Sequence, residues 1–251
     1  MERMTRQIKT RGIVLREVKT GESDRILTIL TPALGVISAA AKGSQRLKSK
    51  LFAATGLFCY SEFVLFEGRT MYTVDEATPL EVFFDLRASI EGMSLAVYLS
   101  ELMGTLAPEG ESSQQQLRLL LNSLALICRK RNLYQVKTVC ELRALSQAGY
   151  MPDLVACQSC GSYDGEAFFF DLQQGTLLCA DCAAKLQLRP NLTASQLAAM
   201  RHIIYSDDDK VFGFALSEPS LKQLSALSTR YVVQQLDHRF KSLDFLQTVL
   251  P

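Results

Sequence analysis

Two cysteine pairs carry the most specific chemistry in the chain. Cys157-Gln158-Ser159-Cys160 and Cys179-Ala180-Asp181-Cys182 are C-x2-C pairs separated by eighteen residues. Two such knuckles folded towards one another present four thiolates as a tetrahedron, the geometry of a closed structural zinc site. Between them Ala167–Asp171 reads as a strand, Gln173-Gln174-Gly175 as a turn and Thr176–Leu178 as the return strand. This ββ element, at about residues 155–186, has too little apolar content to stand without its metal. Four unconnected core thiols would not explain the pairing. A redox site would use one pair in a βαβ setting, and a catalytic zinc would leave one coordination position open. Cys157, Cys160, Cys179 and Cys182 are therefore expected to hold one structural zinc ion. The other three cysteines, Cys59, Cys128 and Cys140, lie in apolar stretches and read as core.

The second chemistry is electrostatic. The net charge of +1 hides a division: residues 1–50 hold eleven Lys/Arg against four acids, +7, and the rest of the chain 16 against 22, −6. A basic leading module on an acidic body points that module at a polyanion. The candidate phosphate contacts are Arg11, Arg16, Arg25, Lys42, Arg46, Lys48 and Lys50, the last four on a segment, Lys42–Lys50, that reads as a flexible basic loop. An isolated run of this kind is ordinarily a solvated turn. Here the adjoining strands add Lys9, and Phe58, Tyr60, Phe63, Phe66 and Tyr72 lie in the same module. Barrels that bind single strands combine a basic groove with aromatic rings, because phosphates attract cations and every base has a face to stack on. Most of these rings must fill the barrel core, and parity does not single out those facing outward.

Short strands must position both features. Gln7–Val18, Asp24–Leu30, Val36–Ala41, Leu57–Phe66 and Thr70–Val74 alternate or concentrate β-formers, with turns at Gly21-Glu22, Thr31-Pro32 and Glu67-Gly68-Arg69. Five strands in this length predict a small barrel, of OB or SH3-like type. From about residue 78 the period becomes helical: Glu81–Gly104, then a helix opened by a capping box at Ser112 or Ser113 and closed by Arg129-Lys130-Arg131, then Tyr134–Ala148, stopped by Gly149 and Pro152. Thr193-x-x-Gln196 and Ser217-Glu218-Pro219 start two more, the latter running to about Asp237. These helices predict a bundle-like body.

Motifs for common enzyme chemistry do not occur. There is no G-x-x-x-x-G-K-[ST], no G-x-G-x-x-G and no G-x-S-x-G. A zinc deaminase needs H-x-E ahead of P-C-x-x-C, whereas both histidines, His202 and His238, follow the cysteines. Asp207-Asp208-Asp209 beside Lys210 reads as an exposed turn. No apolar run approaches a membrane span, and the polar, basic start carries no signal-type h-region. The chain is expected to be a cytoplasmic, non-catalytic protein with no membrane or small-molecule substrate.

The same residues resemble a known family. Gly12-Ile13-Val14-Leu15 through Gly21-Glu22-Ser23-Asp24-Arg25, then Thr31 with Gly35, then Ala41-Lys42-Gly43 and a basic loop ending Lys48-Ser49-Lys50-Leu51 form one set. Cys140-Glu141-Leu142-Arg143, Gly149-Tyr150-Met151-Pro152-Asp153-Leu154 and Cys157-x-x-Cys160-Gly161 form another, with Lys241-Ser242 and Phe245 near the end. In order and spacing the chain resembles the bacterial recombination mediator family RecO over almost its full length. It departs from the pattern at Cys140, where Phe is usual, and it has the four cysteines that some members lack. The resemblance implies an α+β multidomain chain: an N-terminal OB-fold β-barrel over 1–78 and an α-helical domain over 79–251 with the zinc element inserted. It implies binding to single- and double-stranded DNA, annealing of complementary strands, and action with RecR to help RecA replace single-strand-binding protein (SSB) through contact with the SSB C-terminal tail. These activities belong at the nucleoid. A protein-interaction adaptor that never touches DNA, a thiol oxidoreductase and a metal-dependent nuclease are the rival readings.

Overall fold

Alternating residues from Gln7 to Thr20 build one long strand, β1, and a computed structural model shows what closes around it. The structure describes residues 6–108 and 110–250. Strands β2 (Asp24–Thr31), β3 (Gly35–Ala41), β4 (Cys59–Phe66) and β5 (Tyr72–Val82) complete a closed barrel in the order β1-β2-β3-β5-β4. β1 pairs antiparallel with both β2 and β4, and closure comes from a short parallel contact of Ala39 and Ala40 with Tyr72 and Thr73. Inside lie Val14, Leu27, Ile29, Ile37, Ala39, Phe63, Leu65 and Val74. Small residues let the barrel close tightly. At Gly12 a Cβ would sit 2.6 Å from Ile29 Cγ2 and 3.0 Å from Leu30 O, closer than packing allows.

The chain divides into two compact units, one running to Cys128 and resumed from Ser242, the other Arg129–Lys241. The first contains the barrel, the four-residue helix α1 (Leu51–Ala54), a 3-10 turn at Phe84–Ala88, and helices α2 (Ile90–Leu106), α3 (Gln114–Cys128) and α8 (Lys241–Val249). The expected split into 1–78 and 79–251 and this grouping by contact therefore count α2, α3 and α8 differently. β5 is longer than the sequence pattern suggests and runs on to Val82, opposite Cys59. The helix expected from Glu81 consequently starts at Ile90, where the Ser89 hydroxyl accepts the Gly92 N–H at 2.9 Å. The expected capping box before α3 is absent. Ser112 Oγ donates to Pro32 O, the Ser113 N–H bonds the same carbonyl, and Ser113 Oγ is buried without a partner.

In the second unit α4 (Leu133–Gln147) packs against α7 (Glu218–Leu236) and α6 (Ala194–Tyr205). A three-stranded sheet, β7-β6-β8, is built from β6 (Ala167–Asp171), β7 (Thr176–Cys179) and β8 (Leu192–Thr193), with α5 (Ala180–Lys185) following β7 directly. Thr193 and Gln196 form the capping box anticipated for α6, and Pro219 stands in the first turn of α7. No described helix is long and apolar enough to cross a membrane.

Candidate nucleic-acid interface and metal centre

The barrel sorts its cations by strand parity. Directly opposed residues of a sheet share a face, and Val14 lies opposite Ile29, which points into the core. Without an irregularity Arg16 would point inward too. A bulge between Val14 and Arg16 inserts Leu15, so that Arg16 faces Thr28 and solvent while Glu17 faces Leu27 and the interior. Arg25, two residues before Leu27, shares that inward face.

Arg25 is therefore a correction to the expected set of phosphate contacts. It is 7% exposed, forms an ion pair with Glu17 at 3.1 Å, and donates from Nη1 to Thr55 Oγ1 at 2.9 Å and to Phe52 O at 3.1 Å. Its guanidinium also lies over the Phe52 ring, 5.2 Å from the centroid. Arg25 is a fold residue that seats α1 at one rim of the barrel. Its charge is consumed there.

Arg11, Arg16, Lys42, Arg46, Lys48 and Lys50 are exposed. Arg11 lies 3.9 Å from Glu62, which also holds Lys9 at 2.8 Å. The Lys9 hydrogen bond, helped by the charges of Lys9 and Arg11, keeps the Glu62 carboxyl below its ordinary range. Among the described residues no carboxylate pairs with Arg16, Lys42, Arg46, Lys48 or Lys50.

The basic loop is also more ordered than its composition suggests. The Gly43 N–H bonds Asp24 Oδ1 at 2.7 Å, and Gln45 donates from its backbone to Ser23 O at 2.9 Å and from Nε2 to Asp24 O at 2.7 Å. Gly43 takes φ 64°, a value a side chain resists. Successive turns then bring Ser49 N to Arg46 O at 2.8 Å and Phe52 N to Ser49 O at 3.1 Å. The loop is a chain of turns tied to the β1–β2 connection, with its cationic side chains outside. Of the aromatics noted in the sequence, Phe58 and Phe63 are buried, Tyr72 packs on the core, and Tyr60 and Phe66 lie half-buried on β4. Phe52, which the strand pattern does not single out, is the ring that Arg25 covers, two residues beyond Lys50 in the chain.

The second unit assembles the four cysteines. Their sulfurs lie within 4.8 Å of one another, and Cys160 Sγ is 3.7 Å from Cys179 Sγ. Four thiolates around one zinc at about 2.3 Å stand roughly 3.8 Å apart, so the quartet fits a single ion. The first knuckle is shaped by Gly161 N donating to Cys157 O and Cys157 N to Ser162 O, both at 2.8 Å. Gln158 N donates to Leu177 O at 2.8 Å and so joins it to β7. Burial raises the Cys157 thiol, but hydrogen bonds from the Cys179, Cys160 and Ser159 backbone outweigh it and bring it to about 6. Cys160 has a Ser162 backbone bond that favours its thiolate, yet the sulfurs of Cys157, Cys182 and Cys179 push it to about 12. Four sulfurs this close resist sharing negative charge, and a cation at their centre relieves that conflict. The quartet is the one group of three or more possible ligands among the described residues.

The element is tied into its unit by directional bonds. Arg201 donates to Leu154 O at 2.7 Å, Val155 O at 2.9 Å and Tyr163 O at 3.2 Å, and covers the Tyr163 ring at 4.0 Å. Phe170 meets Tyr231 of α7 edge-on at 5.1 Å, and Gln235 Nε2 bonds Leu172 O at 2.7 Å. His202 Nε2 lies 2.9 Å from Lys210 O. Of the three neighbouring acids, Asp208 pairs with Arg143 at 2.7 Å and Asp207 with Lys210 at 3.3 Å.

A family model described as recombination protein O N terminal matches residues 4–83, and one described as recombination protein O C terminal matches residues 87–244. The chain is 37% identical over 243 residues to the DNA repair protein RecO of Acetivibrio thermocellus, covering 96% of this chain and 97% of that protein. It is 33% identical over 248 residues to the RecO of Alkaliphilus metalliredigens, covering 96% and 99%. The similarity to the RecO of Dehalococcoides mccartyi is 29% over 242 residues, covering 96% and 95%.

Proposed function

The chain belongs to the RecO family of DNA repair proteins, and from that premise we propose that it is a non-catalytic recombination mediator whose barrel, an OB-fold, binds and anneals single-stranded DNA. One observation carries the reading. Lys42, Arg46, Lys48 and Lys50 project from a loop whose backbone is fixed by Asp24 and Ser23, and among the described residues no carboxylate pairs with them. Fixing four cations near one another in solvent costs repulsion that a phosphate backbone reverses.

The mechanism follows from charge without base-specific contacts. Cations from the loop, with Arg16 and Arg11 on β1, screen the repulsion between two strands, so that their bases can test pairing. Zinc at Cys157, Cys160, Cys179 and Cys182 would serve as a scaffold: four thiolates close its coordination sphere and leave no site for a substrate. In the cell the protein would work in the cytoplasm at the nucleoid, on single- and double-stranded DNA. It would act with RecR and reach SSB through the SSB C-terminal tail, so that RecA can load on the exposed strand. No bond-breaking step is assigned to any residue.

The test is a fluorescence titration of labelled oligo(dT) at several salt concentrations, followed by annealing of two complementary oligonucleotides, bare and SSB-coated. Binding that weakens by a log–log slope of about −0.7 for each phosphate contacted supports the reading. Absence of salt-sensitive binding at micromolar protein would favour an adaptor that meets only proteins.

A further inference from the structure

The basic loop leads into an apolar surface that phosphate binding alone does not use. Leu47, between Arg46 and Lys48, is 87% exposed, the highest value among the exposed large hydrophobic residues described. Phe52, two residues after Lys50, is 38% exposed on α1, whose Ala54 and Leu51 are the residues that pack on the barrel core. An aromatic side chain held partly in water loses hydrophobic stabilisation that a stacked partner would restore.

Phe52 is also held in place from below. Arg25 lies over the ring and bonds the Phe52 carbonyl, and Arg25 is itself fixed by Glu17 and Thr55. A guanidinium against one face leaves the ring oriented before any ligand arrives, so stacking costs little side-chain entropy. The other aromatics of the barrel are less suited. Phe58 and Phe63 are inside, Tyr72 packs on the core, and Tyr60 lies opposite Glu81 and two residues from Glu62, a setting that repels phosphates. Phe66 stands opposite Gln7 and Thr73, away from the loop cations in register.

We infer that Phe52 is the base-stacking platform of the nucleic-acid site, with Leu47 as a second apolar contact and Arg25 as the residue that positions the ring. The ligand is an unpaired nucleobase, because a paired base has both faces covered by its neighbours in the duplex. This rests on the proposed DNA-binding reading and adds the place where the strand's bases go. Cations spaced along the loop would hold phosphates on either side while one base lies on the ring. Such stacking would favour single strands over duplex, an asymmetry that phosphate contacts alone do not create.

The chain contains no tryptophan, so Phe52→Trp introduces a single reporter at the proposed contact. Its fluorescence is expected to be quenched by oligo(dT) and not by an abasic strand of the same length, which keeps the phosphates and lacks the bases. Phe52→Ala and Phe52→Leu should each weaken oligo(dT) binding about tenfold, while the affinity for the abasic strand stays at the wild-type value. Phe52→Leu keeps the bulk over Arg25, so a loss shared by both variants is not a folding defect. If labelled oligo(dT) binds the wild type but the reporter stays bright and both variants bind normally, the stacking role is overturned and the DNA-binding reading survives. If the wild type itself shows no salt-sensitive binding, both fall.

Discussion

Buried and half-buried cations in the second compact unit and the loop cations of the first are used in opposite ways. In the second unit three cations are committed to the fold: Lys137 is 8% exposed and bonded to Glu141, Ser225 and Thr229, Arg143 holds Asp208 and two α6 carbonyls, and Arg201 spans the carbonyls of Leu154, Val155 and Tyr163. In the first unit the loop cations Lys42, Arg46, Lys48 and Lys50 are exposed, with no ion pair among the described residues. Arg25 shows that the barrel can consume a cation when parity turns it inward. Counting charges along a sequence cannot separate these cases, whereas asking what each cation touches does. A satisfied charge fixes shape, and one left in solvent is free to meet a partner.

The comparison breaks most severely at the metal. If the quartet is scaffolding, Cys157→Ser removes a ligand and the binding energy that folds the element, for which structural zinc in small domains contributes about 10–16 kcal/mol at neutral pH. The expected outcome is loss of bound zinc by atomic absorption, low solubility and a lower melting temperature. A soluble variant that melts like the wild type without zinc would show that the element stands by itself. Acid should also release the metal, since protons compete for all four thiolates.

Next in size is the buried pair on α4, Lys137 with Glu141, that meets Ser225 and Thr229 of α7. Glu141 has no exposed side-chain surface, and it accepts from Thr229 Oγ1 at 3.0 Å as well as pairing with Lys137 at 3.2 Å. Lys137→Met leaves the carboxylate without its cation and is expected to cost about 3–5 kcal/mol by urea unfolding. Replacing both as Lys137→Met with Glu141→Leu should recover most of that loss, because a well-packed apolar pair avoids desolvation altogether. A single variant as stable as the wild type would mean that charge in this unit is not committed to the fold.

The loop should respond in the reverse sense, in binding and not in stability. Reversing Arg46, Lys48 and Lys50 to Glu should shift stability by no more than about 0.5 kcal/mol, as solvent-facing substitutions do. The salt slope for oligo(dT) should become shallower by about 2, from three lost phosphate contacts at roughly 0.7 each. Normal annealing by this variant would mean that the cations meet something other than DNA.

How much of this could be read from the residues alone follows from where the constraint lies. The cysteine knuckles were legible because four ligands must converge on one point, which dictates spacing along the chain and leaves its mark in C-x2-C. The barrel strands are legible from alternation, and their ends less so: β5 continues through Thr78-Pro79-Leu80-Glu81-Val82, where residues of both faces are exposed and no alternation of burial is left to read. The inward side of Arg25 is legible as well, since a strand over Asp24–Leu30 sets it on the side of Leu27 and Ile29. Phe52 gave no periodic signal. A helix of four residues is shorter than two turns, and only the three-dimensional position of Arg25 shows that the ring is held beside the loop.

The smallest effect lies where the two behaviours meet, at Glu62. Its carboxylate holds Lys9 and, more distantly, Arg11, so these two cations are partly satisfied within an otherwise open surface. Its folded pKa is depressed, so the pairing is complete above the ordinary carboxylate range and is lost only as pH falls through the lowered value. Across neutral and mildly acidic pH, Glu62 should therefore leave DNA affinity unchanged. Glu62→Gln removes the competitor for both cations, and oligo(dT) affinity is expected to rise roughly twofold with a slightly steeper salt slope. The melting temperature should not move measurably, because Lys9 and Arg11 lie largely in solvent, where such pairs contribute little. If affinity falls instead, Glu62 is orienting Lys9 and Arg11 for the strand rather than withholding them, and the line between satisfied and available charge has to be drawn inside the barrel, between β1 and the loop.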